Sequence, residues 1–232
     1  MHKIQRNEPP EGLNEKNIEF NQNITHTSEE ISKAWKSFTN SELKRKTLEK
    51  LREMFKDCCA YCEGRYIVTS NSQIEHFKPK SIYPDLMFNY ANMNLSCEIC
   101  NKAKLNKFDE KLINPTVDDP YEHLKFKAYM ISPIDERGEY TIDMFKLNSD
   151  ERTNTKKDKY MAIYNRLELI KEHVDEIEAG KEKIDQWFIK LLTQTIEEME
   201  GKFDDGFEYT SMYRHNFKEI IEEMKKFLNK YL

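Results

Sequence analysis

The chain has 232 residues, 34% of them charged and 38% hydrophobic, with a formal net charge of −5. That length suits one large domain or two small ones with a real core, and no apolar run is long enough to span a bilayer. MHKIQRNEPPEGL at the start lacks the apolar stretch of a signal peptide. The expectation is therefore a cytoplasmic protein, where disulfides are rare, and the acidic balance argues against a simple nucleic-acid binder.

The charge is uneven, however. Between Glu172 and Glu208 four Lys face twelve Asp and Glu, a net of −8. Lys78, Lys80, Lys102, Lys104, Lys107 and Lys111 gather instead around the cysteines. One part of the chain can meet phosphates and another cannot.

Taken in order, residues 1–24 are polar and read as extended, with Pro9-Pro10 and several Asn. Thr27-Ser28-Glu29-Glu30 fits a capping box that opens a short helix to about Phe38. Asn40-Ser41 can cap a second helix, whose Leu43, Leu48, Leu51, Met54 and Phe55 recur at roughly helical spacing. Residues 1–57 thus form an N-terminal extended segment with helices. Residues 58–112 change to short pieces: two C-x-x-C turns, a strand at Gln73–Phe77, a loop with Pro79, Pro84 and Asn89, and a helix start in CNKAKLNKF.

Residues 113–148 read as a strand-like hairpin region, because HLKFKAYMIS and EYTIDMFKL alternate around Asp135-Glu136-Arg137-Gly138. Residues 149–232 read as helical. Tyr160, Ile163, Leu167, Ile170, Val174 and Ile177 form one apolar stripe. Ile184, Trp187, Phe188, Leu191 and Ile196 form a second, with Trp187 in the core. Phe217, Ile220, Ile221, Met224, Phe227 and Leu228 form a third. Gly180 and GKFDDGFEYT punctuate them. The fold class expected is α+β, predominantly helical, and the bland account of the stripes is a bundle core.

Cys59-Ala-Tyr-Cys62 and Cys97-Glu-Ile-Cys100 are two knuckles, each of which aims two sulfurs at one centre. Together they make a four-thiolate tetrahedral site of the kind Zn²⁺ favours, structural because no position is left for substrate. Five buried free cysteines would be the plain alternative, but two C-x-x-C pairs in so cysteine-poor a chain speak against it. Cys58 is read as a neighbour of the site.

This clamp should gather Glu75, His76, Asn94 and Asn101. An imidazole titrates near neutrality, so His76 can serve as a general base. A carboxylate and a carboxamide oxygen, with water and phosphate, suit Mg²⁺. Lys78, Lys80, Lys102 and Lys104 are candidate phosphate contacts, the plain reading of the lysines from 102 to 111 being a solvated helix face. Adjacent strand residues point to opposite faces, so Glu75 and His76 can share a site only if the strand bends or is bulged. Each group also has a structural reading: a satisfied histidine, and turn or cap residues at Asn94 and Asn101. His2, His26, His123, His173 and His215 are read as structural.

C-x-x-C, then Glu-His-Phe-x-Pro, then Asn-Leu, then C-x-x-C-N-x-x-K resembles the HNH nuclease family with its ββα-metal core. The resemblance covers about Cys59–Lys107 and implies roles. His76 would be the base, Glu75 and Asn101 the ligands of a catalytic Mg²⁺ or Mn²⁺, Asn94 the residue that orients the base (Asn92 the weaker candidate), and Lys104 a phosphate neighbour. KIQRNEPPEGL, INPTVDDPYEHLKF and the helical tail are similar to HNH nucleases of bacterial anti-phage systems, the Septu type and its retron-associated relatives. That likeness implies DNA as substrate and a PtuA-like ABC/SMC-type ATPase as partner. A non-catalytic zinc-binding adaptor, or a nuclease acting on RNA such as tRNA, are the alternatives.

Overall fold

A computed structural model describes residues 1–22, 25–65 and 72–232. Residues 23 and 24 of the stretch read as extended, and 66–71 of the segment 58–112, lie outside them. The chain divides into two units, 1–124 with 133–146, and 125–132 with 147–232. Helix is the main regular structure in both, with two two-stranded sheets among the described residues, so the fold is α+β and predominantly helical.

In the first unit, α1 (Leu13–Phe20) lies inside the segment read as extended. Gly12 opens it at φ +88°, a left-handed value that glycine adopts without Cβ strain, and Leu13 is buried. Helix α2 (Ser28–Thr39) begins with the expected capping box: Thr27 Oγ1 accepts from Glu30 N and the Glu30 carboxylate accepts from Thr27 N. Ser41 caps α3 (Glu42–Met54) by accepting from Lys44 N. Leu51, Met54 and Phe55 are buried, and α3 packs on both strands of the first sheet.

That sheet pairs β1 (Gln73–His76) with β2 (Met93–Ser96), antiparallel, with Glu75 opposite Asn94 and His76 opposite Met93. Helix α4 (Glu98–Lys104) follows directly and packs on β1. Its N-cap is Cys97, whose Sγ accepts from Cys100 N, so the second knuckle and the helix start are one structure.

The N-terminal arm ties this unit together. Ile4 N donates to Pro115 O at 2.7 Å. The Arg6 guanidinium donates to Tyr90 O, Met93 O, Asn94 Oδ1 and Thr116 Oγ1. The two outlying sequence stretches that flank the core thus meet at its edge.

The hairpin expected around Asp135–Gly138 is not there. Glu136–Phe145 is a helix, α5, with Asp135 as N-cap accepting from Gly138 N. The Asp135 cap satisfies an N–H that a helix start would otherwise leave free, and this outweighs the alternation in EYTIDMF. Gly138 is required by close approach: a Cβ there would lie 2.1 Å from the His123 carbonyl oxygen. Strands do form within the preceding stretch, β3 (Leu124–Lys127) and β4 (Met130–Pro133).

In the second unit, Asn216 and Asn148 each bond a backbone N–H and C=O of that ribbon, at Ala128 and Ile131. Three helices follow: α6 (Asp150–Glu178), α7 (Gln186–Phe203) and α8 (Thr210–Leu228). Their stripes meet in one core that includes Leu167, Leu192, Met199, Phe217 and Ile221. Trp187 departs from its expected place in that core. It is 68% exposed, and Phe188, Leu192 and Ile196 form the buried face of α7. No helix among the described residues is long and apolar enough to cross a membrane.

Candidate active site and four-cysteine cluster

The sulfurs of Cys59, Cys62, Cys97 and Cys100 lie within 4.8 Å of one another, and Cys62 and Cys97 are 3.9 Å apart. A tetrahedron of roughly 2.3 Å metal–sulfur bonds has edges of about 3.8 Å. The cluster can therefore hold a metal such as zinc. Burial pushes the Cys59 and Cys100 thiols well above their ordinary pKa, so thiolates there need a cation beside them. Cys58 is buried outside the cluster.

This clamp sets Tyr61, inside the first knuckle, against β1. Tyr61 is fully buried and stacks on Phe145 of α5 at 3.8 Å. Its hydroxyl donates to Glu75 Oε2 in a short bond and accepts from Asn94 Nδ2 at 3.1 Å. Burial, then the Glu75 charge, pushes the phenol well above its usual pKa and keeps it a donor. Lys104 Nζ closes the other side of Glu75, 2.6 Å from Oε1, and donates to His76 O at 2.7 Å. Arg6, Asn94, Tyr61, Glu75 and Lys104 form one continuous polar chain through the interior.

Two expectations change here. Lys104, expected at phosphate, has no exposed surface and is spent on Glu75 and a backbone carbonyl. Its position at the end of α4, facing β1, leaves it no path to solvent. Lys78 also turns elsewhere, toward Glu110 and over the Tyr83 and Phe108 rings. Lys80 and Lys102 do border the cleft at the site, joined by Lys44 from α3.

His76 is 7% exposed. Its Nε2 lies 2.8 Å from Met87 O. A carbonyl only accepts, so Nε2 carries the proton and Nδ1 the lone pair. Burial, followed by the charges of Lys80 and Lys104, lowers its pKa to about 3, so the ring is neutral at pH 7. The side chain of Asn92 bonds to Lys78 N, Lys78 O and Leu86 O. It thereby closes the loop that presents the Met87 carbonyl. Asn94 instead bonds to Tyr61 and Arg6. The geometry gives Asn92 the contact nearer to His76 and Asn94 the contact nearer to Glu75.

Glu75 and His76 leave β1 in different directions, as a two-residue period requires. Because β1 ends at His76, both still border one cleft of about 540 Å³, with Gln73, Asn101, Trp35 and Lys80 among its walls. Asn101 Nδ2 donates to Gln73 Oε1. Glu75 and Asn101 offer oxygens of the kind a hard divalent cation takes. The bonds from Tyr61 and Lys104 fix Glu75 as ligating carboxylates are commonly fixed.

Sequence reasoning missed Tyr61, Met87, Trp35, Phe145 and Arg6. Only Tyr61 carried a signal, its place within a knuckle. Met87 acts through its backbone, and the other three reach the site from distant elements.

The fold and site define a ββα unit tied by four cysteines, with a buried acid–histidine pair at the strand end. No family model matches the chain. Among known proteins it resembles Septu protein PtuB. It is 40% identical over 105 residues to that protein of Bacillus thuringiensis, covering 44% of this chain and 41% of the relative. It is 28% identical over 225 residues to that of Bacillus mycoides (strain KBAB4), covering 78% of this chain and 76% of the relative. The first match thus spans about two-fifths of that relative's length.

Proposed function

We propose that the protein is a metal-dependent HNH-type endonuclease that hydrolyses DNA phosphodiester bonds. In this reading it is the nuclease of an anti-phage defence system, and a PtuA-type ABC/SMC-like ATPase gates it. The similarity to Septu protein PtuB supports the defence assignment and the partner. The chemistry rests on one observation: His76 is a neutral imidazole of fixed tautomer on the wall of a lysine-lined cleft.

His76 Nδ1 accepts a proton from water, which attacks phosphorus in line. The products are a 5′-phosphate and a 3′-hydroxyl. A base with a conjugate acid near pH 3 is weak. Entry of a phosphodiester brings negative charge against Lys80, relieves one cause of the depression and moves the base toward its working range. Lys44, Lys80 and Lys102 neutralise backbone phosphates without reading sequence. A Mg²⁺ or Mn²⁺ ion held by Glu75 and Asn101 would stabilise charge on the leaving oxygen. Lys104 already neutralises Glu75, so substrate and water must complete that cation's ligands.

Nicking of supercoiled plasmid with Mg²⁺ or Mn²⁺ tests the reading, wild type against His76→Ala, with and without a PtuA-type ATPase. Loss of cutting in the variant is the expected result. Equal cutting by both, or no cutting by wild type with the ATPase present, overturns it.

A further inference from the structure

Trp35 lies on α2, outside the ββα unit, yet it forms a wall of the cleft. Its ring stands edge-on to His76, 4.8 Å between centroids at 67°. Its aromatic neighbours Phe38 and Phe88 are fully buried, whereas Trp35 is only partly so. Lys80 Nζ lies over the ring, 5.0 Å from its centre, so a stacked base would take the place of the ammonium there and leave it to a phosphate. Lys44 and Lys102 border the same space. An aromatic face inside a lysine-lined groove is how proteins hold single-stranded nucleic acid: charge tracks the backbone and bases stack on the ring without sequence readout. A cleft of about 540 Å³ has the size of a small-ligand pocket. It takes a nucleotide or two, not a turn of duplex. A base within a duplex is stacked and paired, so it cannot reach a ring this close to the reacting phosphate.

Resting on the nuclease reading above, we propose that Trp35 stacks an unpaired nucleobase beside the scissile phosphate. Trp35 is thus a specificity-determining residue that directs the enzyme to single-stranded or locally melted DNA.

The chain has two tryptophans, and Trp187 is exposed on α7, so Trp187→Phe leaves Trp35 as the only indole. Emission of that zinc-loaded protein is titrated with oligothymidylate, with an abasic strand of equal length and with a duplex, no Mg²⁺ added. Oligothymidylate should quench it, and the abasic strand and the duplex should not. Trp35→Leu, which keeps an apolar wall, should weaken oligothymidylate binding about tenfold and leave abasic binding unchanged, with Trp35→Phe intermediate. Equal quenching by abasic and normal strands, or a Leu variant that still prefers the normal strand as wild type does, overturns the proposal. If plasmid is still cut in a His76-dependent way, the nuclease reading survives that failure. If no strand binds and nothing is cut, both fall.

Discussion

Lys104 Nζ and Glu75 Oε1 are 2.6 Å apart, with side chains 0% and 2% exposed. The ammonium stands behind the acid of the acid–histidine pair, on the side away from solvent, and also holds the His76 carbonyl. Removing one partner from a buried pair leaves an uncompensated charge. Lys104→Met should therefore cost about 3–5 kcal/mol in urea unfolding. Glu75→Gln combined with Lys104→Met should recover much of that loss. A phosphate-contacting lysine would instead leave stability untouched.

The four-cysteine cluster should carry one metal ion per chain. Its binding supplies on the order of 10–16 kcal/mol to a loop-rich segment. Cys97→Ser also removes the sulfur that caps α4. Chelation, or this substitution, should release the ion and unfold the β1–β2–α4 segment, while the helices of the second unit keep their far-ultraviolet signal. Full retention of the thermal transition after chelation would argue against a structural metal.

Acid should destabilise the protein through His76. In the unfolded chain the group titrates near 6.5 and in the folded protein near 3. Between those values the unfolded state binds more protons, so stability rises with pH and is lost as pH falls from 6.5 toward about 3. The slope is up to about 1.4 kcal/mol per pH unit. His76→Gln lacks that slope. Unfolding free energies of the two proteins at several pH values should converge as pH falls; parallel curves would mean that the ring is not buried neutral.

Asn92 and Asn94 should fail differently. Asn92→Ala removes three bonds across the loop that carries Met87 and should lower cleavage more than it lowers stability. Asn94→Ala breaks the Arg6–Tyr61 link inside the core, at about 1–3 kcal/mol for the buried groups left behind. Paired nicking and urea-unfolding measurements separate the two roles.

Gly138→Ala should cost about 1–3 kcal/mol or more, because the added methyl meets the His123 carbonyl, which is backbone and cannot rotate away. A variant as stable as wild type would show that α5 shifts freely.

The sequence by itself determined what local rules govern. The capping box at Thr27–Glu30, the two knuckles, a strand opening at Gln73 and the apolar stripes of α6 and α8 all follow from spacing and side-chain chemistry within one element. Tertiary structure alone decided the partners. EYTIDMF coils as α5 on a local cap at Asp135 that its alternation masked, and the close approach of Gly138 to the His123 carbonyl is the part that tertiary structure decided. Trp187 lies on an apolar stripe, but neighbouring helices choose which arc of α7 is covered. Lys104 has the sequence of a phosphate contact and the location of a buried counter-ion. The Met87 carbonyl that fixes the His76 tautomer is a backbone group, and the Trp35 ring beside it comes from α2, far along the chain. Backbone groups and long-range contacts leave no periodicity to read; they exist only once the chain has closed on itself.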